Sequence, residues 1–233
     1  MTHLDWDAPG PYRVVFSTRN GGVSDPPFAT MNLGKKLGDD PDRVEENRRR
    51  LCEHAGASPD WLAMNYQLHS SRVNRAEAGV KGTPGDALWT DEPGVPVLAL
   101  AADCVPVALV RTSGEPAVCV VHAGRIGILG GILAEAARTL GGEPAAAIGP
   151  AIGPCCYEVG DEVAAPYRER FGDGIVRDTR LDLWQAAETA LERAGVENVH
   201  RYDMCTACNP DLFFSYRRDG TPRGGQGVLA LVA

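Results

Sequence analysis

The sequence predicts an α+β fold, a single domain over residues 1–233 in which mixed or antiparallel β-sheets are flanked by helices. Three observations lead there. Apolar runs are short and interspersed with helical patterns in no regular βαβ period, which argues against a doubly wound parallel sheet. The 27 Gly and 17 Pro exceed the usual share and imply more turns and irregular loops than a helical bundle uses. Hydrophobic residues at 44% and charged residues at 23% are those of a globular chain with a substantial core, and 233 residues fit within one domain. No fixed-period repeat, low-complexity tract or linker divides the chain.

Taken in order, residues 12–18 have the β-branched and aromatic content of a strand, which runs into a Gly- and Pro-studded loop over 19–34. Asp40 followed by Pro41 reads as the cap and first residue of a helix. Val44, Leu51 and Ala55 form its apolar stripe, and Gly56 stops it. Apolar runs at 62–67, 95–102, 105–110 and 117–122 read as strands. The turn residues Thr112, Ser113 and Gly114 make the last two a hairpin. Residues 128–140 carry Leu129, Ile132, Leu133, Ala136 and Leu140 at helical spacing, and 145–148 is a short buried strand. Helices are expected at 161–171 and 182–194, and an apolar strand at 228–232 closes the chain.

The charge is −8 at neutral pH, so the surface as a whole repels phosphate backbones and anionic membranes; neither nucleic acid nor membrane is expected as a partner. A small anion held by one or two arginines remains compatible. The first ten residues, with Asp5 and Asp7, lack the basic-then-apolar order of a secretory signal. The run at 95–102, interrupted by Pro96, is too short to span a membrane. A cytoplasmic location follows, with the seven cysteines reduced. Composition leaves the oligomeric state open.

Three segments put a good metal-ligand type beside a strand end: His69 after Gln67-Leu68, Cys104 after Ala102-Asp103, and His122 before Ala123-Gly124. Two imidazoles and a thiolate suit zinc, and three protein ligands leave a fourth position for water or substrate, as catalytic sites do. The spacing equally fits two satisfied histidines. Hairpin geometry favours convergence, because a turn centred near Ser113 would set Cys104 and His122 opposite each other. Cys205-Thr206-Ala207-Cys208 and the pair Cys155-Cys156 read as packed or loop thiols, since neighbouring cysteines do not easily point at one metal. Cys52 and Cys119 read as core.

Eight stretches, in order, resemble the motifs of the polyphenol oxidase or laccase-domain family. They are Ser17-Thr18-Arg19-Asn20-Gly21-Gly22-Val23-Ser24, Asn32-Leu33-Gly34, Gln67-Leu68-His69 and Ala102-Asp103-Cys104-Val105-Pro106, then His122-Ala123-Gly124, Ile148-Gly149-Pro150-Ala151-Ile152-Gly153, Cys156-Tyr157-Glu158-Val159-Gly160 and Phe213-Phe214-Ser215-Tyr216-Arg217-Arg218. Members of that family, some called peptidoglycan editing factors, are zinc-dependent purine nucleoside phosphorylases with adenosine deaminase and methylthioadenosine phosphorylase activity. The resemblance implies that His69, Cys104 and His122 hold Zn2+ and act in catalysis, and that Arg19 serves phosphate. It also implies that the partners are purine nucleosides and inorganic phosphate, with Asn32, Gln67, Arg125, Ser215 and Arg217 as candidate substrate contacts. Where the family continues His-Ala-Gly with Trp-Arg-Gly, this chain has Arg125-Ile126-Gly127; near the C-terminus Thr221-Pro222-Arg223-Gly224-Gly225-Gln226 replaces the usual Thr-Gly-Arg-Gln.

The residue types suit that chemistry. Phosphorolysis needs a dianion beside a developing cationic sugar, and arginine binds phosphate bidentately while staying charged. Zinc lowers the pKa of bound water to about 7, which suits deamination at purine C6. Asp103 precedes a ligand and in an extended segment points away from it, as a supporting carboxylate. Three other functions use the same residues: a copper polyphenol oxidase, for which Cu2+ would bind the same donors but five histidines are few; a cysteine hydrolase built on Cys104 and His122, acting in peptidoglycan editing; and a non-enzymatic purine sensor.

Overall fold

The computed structural model describes residues 2–233; Met1, where the expected domain begins, lies outside the described residues. The strands and helices follow the chain as β1 (His3–Trp6), β2 (Tyr12–Ser17), α1 (Pro41–His54), β3 (Ala63–Tyr66), β4 (Val73–Arg75), β5 (Lys81–Pro84) and β6 (Ala87–Thr90). Then come β7 (Val97–Ala101), β8 (Val105–Arg111), β9 (Val118–Ala123), α2 (Arg125–Leu129), α3 (Ile132–Leu140), β10 (Pro144–Ile148) and α4 (Asp161–Phe171). The chain closes with β11 (Val176–Arg177), β12 (Arg180–Leu181), α5 (Leu183–Arg193), β13 (Asn198–Arg201), α6 (Tyr216–Asp219) and β14 (Gln226–Val232).

Two mixed sheets result, ordered β1-β2-β14-β7-β3-β5 and β13-β10-β8-β9-β6-β4, with β11 and β12 as a separate ribbon. The α+β expectation holds. Side-chain alternation explains the stacking. Along β14, Val228, Ala230 and Val232 enter the core between the sheets, whereas Leu229 and Leu231 pack with Leu51 and Cys52 of α1. Along β8, Ala108 and Val110 face the other sheet, whereas Val107 and Leu109 face Ile132, Leu133 and Leu191 of α3 and α5. Central strands covered on both faces read as continuous apolar runs, which is why they were visible in the sequence.

The helix starts are local chemistry. The Asp40 carboxylate accepts from the Asp42 N–H at 2.8 Å ahead of Pro41, and Asp182 caps α5 through the Gln185 N–H at 3.0 Å. The helix expected at 128–140 is instead two, α2 and α3, because Gly130 and Gly131 intervene and Gly131 takes a left-handed φ of 86°. The hairpin also departs from expectation. Pro106, not Cys104, pairs with His122, so Cys104 lies beyond the last ladder pair, Val105 with Ala123. Cys52 and Cys119 are fully buried, as read. None of the helices among the described residues is long and apolar enough to cross a membrane.

Phe16 is 1% exposed in the layer between the sheets and Val80 is 42% exposed. Phe16→Ala should therefore cost about 3–5 kcal/mol in urea unfolding and Val80→Ala within about 0.5 kcal/mol, at unchanged m-value.

Candidate metal centre between two cavities

His122 shares the strand face of Val118 and Val120, so its ring points toward the opposing sheet at the end of β9. His69 lies in the segment that leaves β3 of that sheet. Cys104 is delivered by a bend before β8, where Asp103 takes a φ of 85°. The ligand atoms of His69, Cys104 and His122 lie within 4.8 Å of one another, with His69 exposed, Cys104 half-buried and His122 buried. Of the two sequence readings, convergence is the one realised.

Asp86, which sequence reasoning missed, organises this cluster. It is 1% exposed. Its carboxylate accepts from three successive N–H groups, Leu68 at 3.1 Å, His69 at 2.9 Å and Ser70 at 2.7 Å, and from the Ser70 hydroxyl at 2.7 Å. It also holds His122 Nδ1 at 2.9 Å, leaving Nε2 for an ion. Burial works to raise the Asp86 pKa, but these bonds, led by His122 and Ser70, hold it well below the usual carboxylate range. For His122, burial works to lower the pKa; the Asp86 bond and Cys104 outweigh it and raise the value to about 9 in the ion-free chain. His69 is shifted down, by burial first and then by His122.

The close approach depends on Gly124. A Cβ there would meet His69 Nδ1 at 2.4 Å and Cys104 Sγ at 3.3 Å. Two imidazoles and a thiolate, one imidazole anchored by a carboxylate and the other packed against a bare glycine, fit a zinc- or copper-type ion.

The cluster sits where two cavities meet, since His69, Cys104 and Arg223 line both. One, of about 470 Å³, adds Arg125, Tyr157, Tyr216 and Arg217. The other, of about 550 Å³, adds Lys35, Lys36, Tyr66, Gln67 and Lys81. Arg125 and Arg217 are thus at the site, as expected. The Gln67 side chain pairs with the Leu100 backbone, donating at 2.8 Å and accepting at 2.7 Å, and so extends the β3–β7 pairing toward the cluster.

Three expected contacts line neither cavity. Arg19 donates to the carbonyls of Ala29 at 2.9 Å and Pro210 at 2.8 Å and lies over Phe214, so its guanidinium fixes loops. Asn32 is fully buried, accepting from Gly34 and Gly225 N–H groups at 3.0 Å and donating to Asp39. Ser215 caps α6 through the Arg218 N–H. Asp103 does the supporting work foreseen for it, accepting from Thr206 Oγ1 and the Arg217 N–H at 2.6 Å each. Arg223 was passed over, although the quoted departure near the C-terminus retains it. Asp86 carried no signal, standing outside the ordered motifs. The cysteines read as separate thiols also converge: Cys155, Cys156, Cys205 and Cys208 have their sulfurs within 4.8 Å of one another.

Comparison with known proteins follows this geometry. A family model described as "Multi-copper polyphenol oxidoreductase laccase" matches residues 13–233. A purine nucleoside phosphorylase of Pseudomonas aeruginosa is 38% identical over 225 residues, covering 92% of this chain and 91% of that protein. The purine nucleoside phosphorylase YfiH of Escherichia coli is 36% identical over 236 residues, covering 93% and 92%. The crystal structure of YlmD from Geobacillus stearothermophilus superposes with a TM-score of 0.89 at 33% identity, covering 97% of this chain and 94% of that one.

Asp86→Asn keeps the shape but removes the charge that fixes His122 and the 68–70 backbone. Affinity of the His69/Cys104/His122 site for a divalent ion should fall about 10- to 100-fold in competition with a chelator, while circular dichroism stays native.

Proposed function

The chain belongs to this laccase-type family, and on that premise we propose that it is a zinc-dependent purine nucleoside phosphorylase that also deaminates adenosine. The observation that carries the reading is the convergence of His69, Cys104 and His122 at the border of a cavity lined by Arg125, Arg217 and Arg223. When bound by these three side chains, zinc supplies a Lewis acid and activates water. The rest is the work of the chain's own residues.

In phosphorolysis a phosphate oxygen forms a bond to C1′ of the ribose as the bond to the purine nitrogen breaks and the base leaves with the electron pair. The dianion must be held close to a sugar that gains positive charge, a task for guanidinium groups in a partly dry cavity. Arg223 suits it best. Its Nε is buried without a hydrogen-bond partner among the described residues, and its guanidinium lies 4.5 Å from the Tyr216 ring. A buried donor of that kind is explained by a bound acceptor. Arg217 lies over Tyr157 at 5.1 Å with one Nη1 tied to the Glu158 carbonyl, so it is already oriented. Arg125 stands where relatives carry the tryptophan and adds a charge to the same wall. Tyr157 and Tyr216 offer faces for a purine. Arg19, by this reading, acts on phosphate only through the loops it fixes.

The alternatives part from this reading chemically. Copper oxidation of phenols would use more histidines than the two gathered here; of the other three, His3 and His54 stack on each other and His200 packs on Tyr202. A cysteine hydrolase on Cys104 and His122 would keep full activity without a metal, and a sensor would bind without turnover. A chain with seven cysteines suits a reducing compartment, and the cytoplasm is the location proposed for it.

Adenosine or inosine with phosphate should yield free base and ribose 1-phosphate, and Cys104→Ala or His122→Ala should abolish it. Base released equally well without phosphate would mean hydrolysis instead. Loss of one charge-assisted hydrogen bond is worth about 1.5–3 kcal/mol, at about 1.4 kcal/mol per tenfold. Arg223→Ala should therefore raise the KM for phosphate about 10- to 100-fold. A larger rise in Arg19→Ala would return the phosphate to Arg19.

A further inference from the structure

Beside the proposed reaction site, and resting on none of its chemistry, the structure assigns a second metal site. We propose that Cys155, Cys156, Cys205 and Cys208 bind one zinc ion in a closed four-thiolate site that staples together two loops, one of which lines the arginine-lined cavity through Ile152 and Tyr157.

The geometry is that of a metal site before its ion. The four sulfurs all lie within 4.8 Å of one another, with Cys208 Sγ 3.5 Å from Cys155 Sγ and 3.3 Å from Cys156 Sγ. A tetrahedron with zinc–sulfur bonds of about 2.3 Å has sulfur–sulfur edges of about 3.8 Å, so small adjustments admit the ion. A disulfide fits less well. Its sulfurs stand about 2.05 Å apart, whereas Cys208 is nearly equidistant from two candidates, and either pairing would leave two thiols over. All seven cysteines are free.

The objection that neighbouring cysteines cannot face one ion fails on the local backbone. Cys156 and Tyr157 N–H groups both donate to the Gly153 carbonyl at 3.0 Å, which curls the 153–157 turn tightly enough to bring both sulfurs to one side. Gly153 is required: a Cβ there would meet Trp184 at 2.6 Å and Cys155 Sγ at 3.3 Å. The opposite half is the turn of Cys205-Thr206-Ala207-Cys208, closed by the Asn209 N–H on the Cys205 carbonyl at 3.2 Å. A bridge between Ala151 and Cys205 sets the two turns side by side.

The surroundings supply the charge that a zinc tetrathiolate, net −2, calls for. Arg180 donates to the Cys155 carbonyl and Arg217 to the Cys156 carbonyl at 3.4 Å, while Arg218, on the Thr206 carbonyl at 2.8 Å, has its own charge paired with Asp219. The Gly153 N–H points at Cys205 Sγ at 3.3 Å. Guanidinium groups clasping both turns and an amide aimed at sulfur are the outer partners that stabilise and orient metal thiolates. No position is left for substrate, which makes the site structural. Its effect reaches the cavity because both turns hold Asp103, the residue before Cys104: Ile152 N–H bonds its carbonyl at 2.9 Å and Thr206 Oγ1 its carboxylate at 2.6 Å.

The test uses the full chain, purified under reductant from zinc-supplemented cells, with metal content read by mass spectrometry. Wild type should carry about two zinc ions, and Cys104→Ala/His122→Ala and Cys155→Ser/Cys208→Ser about one each. Cobalt(II) added to the metal-stripped Cys104→Ala/His122→Ala variant should give the thiolate charge-transfer and tetrahedral visible bands of a four-sulfur site. That measurement decides the matter even where the double serine variant fails to fold. A Cys104→Ala/His122→Ala protein that takes up neither zinc nor cobalt would overturn the proposal. So would iron in place of zinc, or a peptide map showing Cys208 cross-linked to Cys155 or Cys156. Absence of phosphorolysis with both zinc ions present would count against the proposed activity alone.

Discussion

Asp86 is a carboxylate almost out of contact with water, and leaving such a charge unpaired would cost several kcal/mol. It is tolerated because the backbone of 68–70 and the ring of His122 converge on it. Read in reverse, the charge fixes both histidines. It holds the segment carrying His69 in a conformation with φ of 58°, and it selects which nitrogen of His122 stays available. Two candidate ligands from different sheets thus share one anchor, and Gly124 makes room beside them, since a Cβ there would stand 2.4 Å from His69 Nδ1.

The sheets make that anchoring possible. Sandwiching two sheets between α1 on one side and α3 and α5 on the other buries β8, β9 and β14 on both faces. Strands held so tightly do not slip in register, since a shift of one residue would turn His122 away from the opposing sheet. The polar cluster sits at the strand ends, where the apolar layer between the sheets stops and loops supply N–H groups. A rigid scaffold ending in a polar rim is the arrangement that lets backbone amides, rather than flexible side chains, hold a buried charge.

What could be read from the sequence follows from the same physics. Strands buried on both faces and the helix begun by Asp40-Pro41 were visible, because apolar runs and a cap of that kind are local signals. Edge strands were not: β5 is exposed throughout and β13 has no buried residue, so neither shows an apolar pattern. The helix at 128–140 was read through its apolar spacing, which continues across Gly130 and Gly131 although the backbone does not. At the site, the three converging side chains were readable from ordered motifs and donor chemistry. Asp86 was not, because its role is to accept from main-chain groups, and those leave no trace in residue type. The four cysteines were underrated for a related reason: whether neighbouring thiols share an ion depends on a turn geometry set by Gly153 and by carbonyl-bound arginines.

A net charge of −8 and the proposed binding of phosphate in the cavity are compatible once charge is counted locally. Some acidic residues are paired on the outside, as along α1, where Glu46 bonds Arg49 and Arg50. Arg217 and Arg223 instead line the cavity, hydrogen-bonded to carbonyls, which orient a guanidinium without neutralising it. Low-dielectric walls then focus the field of such groups into the cavity while salt screens the surface beyond about 8–10 Å. The same device recurs around the thiolates, where Arg180 donates to the Cys155 carbonyl, whereas Arg218, on the Thr206 carbonyl, is also paired with the Asp219 carboxylate. An overall acidic balance thus repels polyanions from the surface and still leaves positive charge where a small dianion or an anionic metal centre needs it.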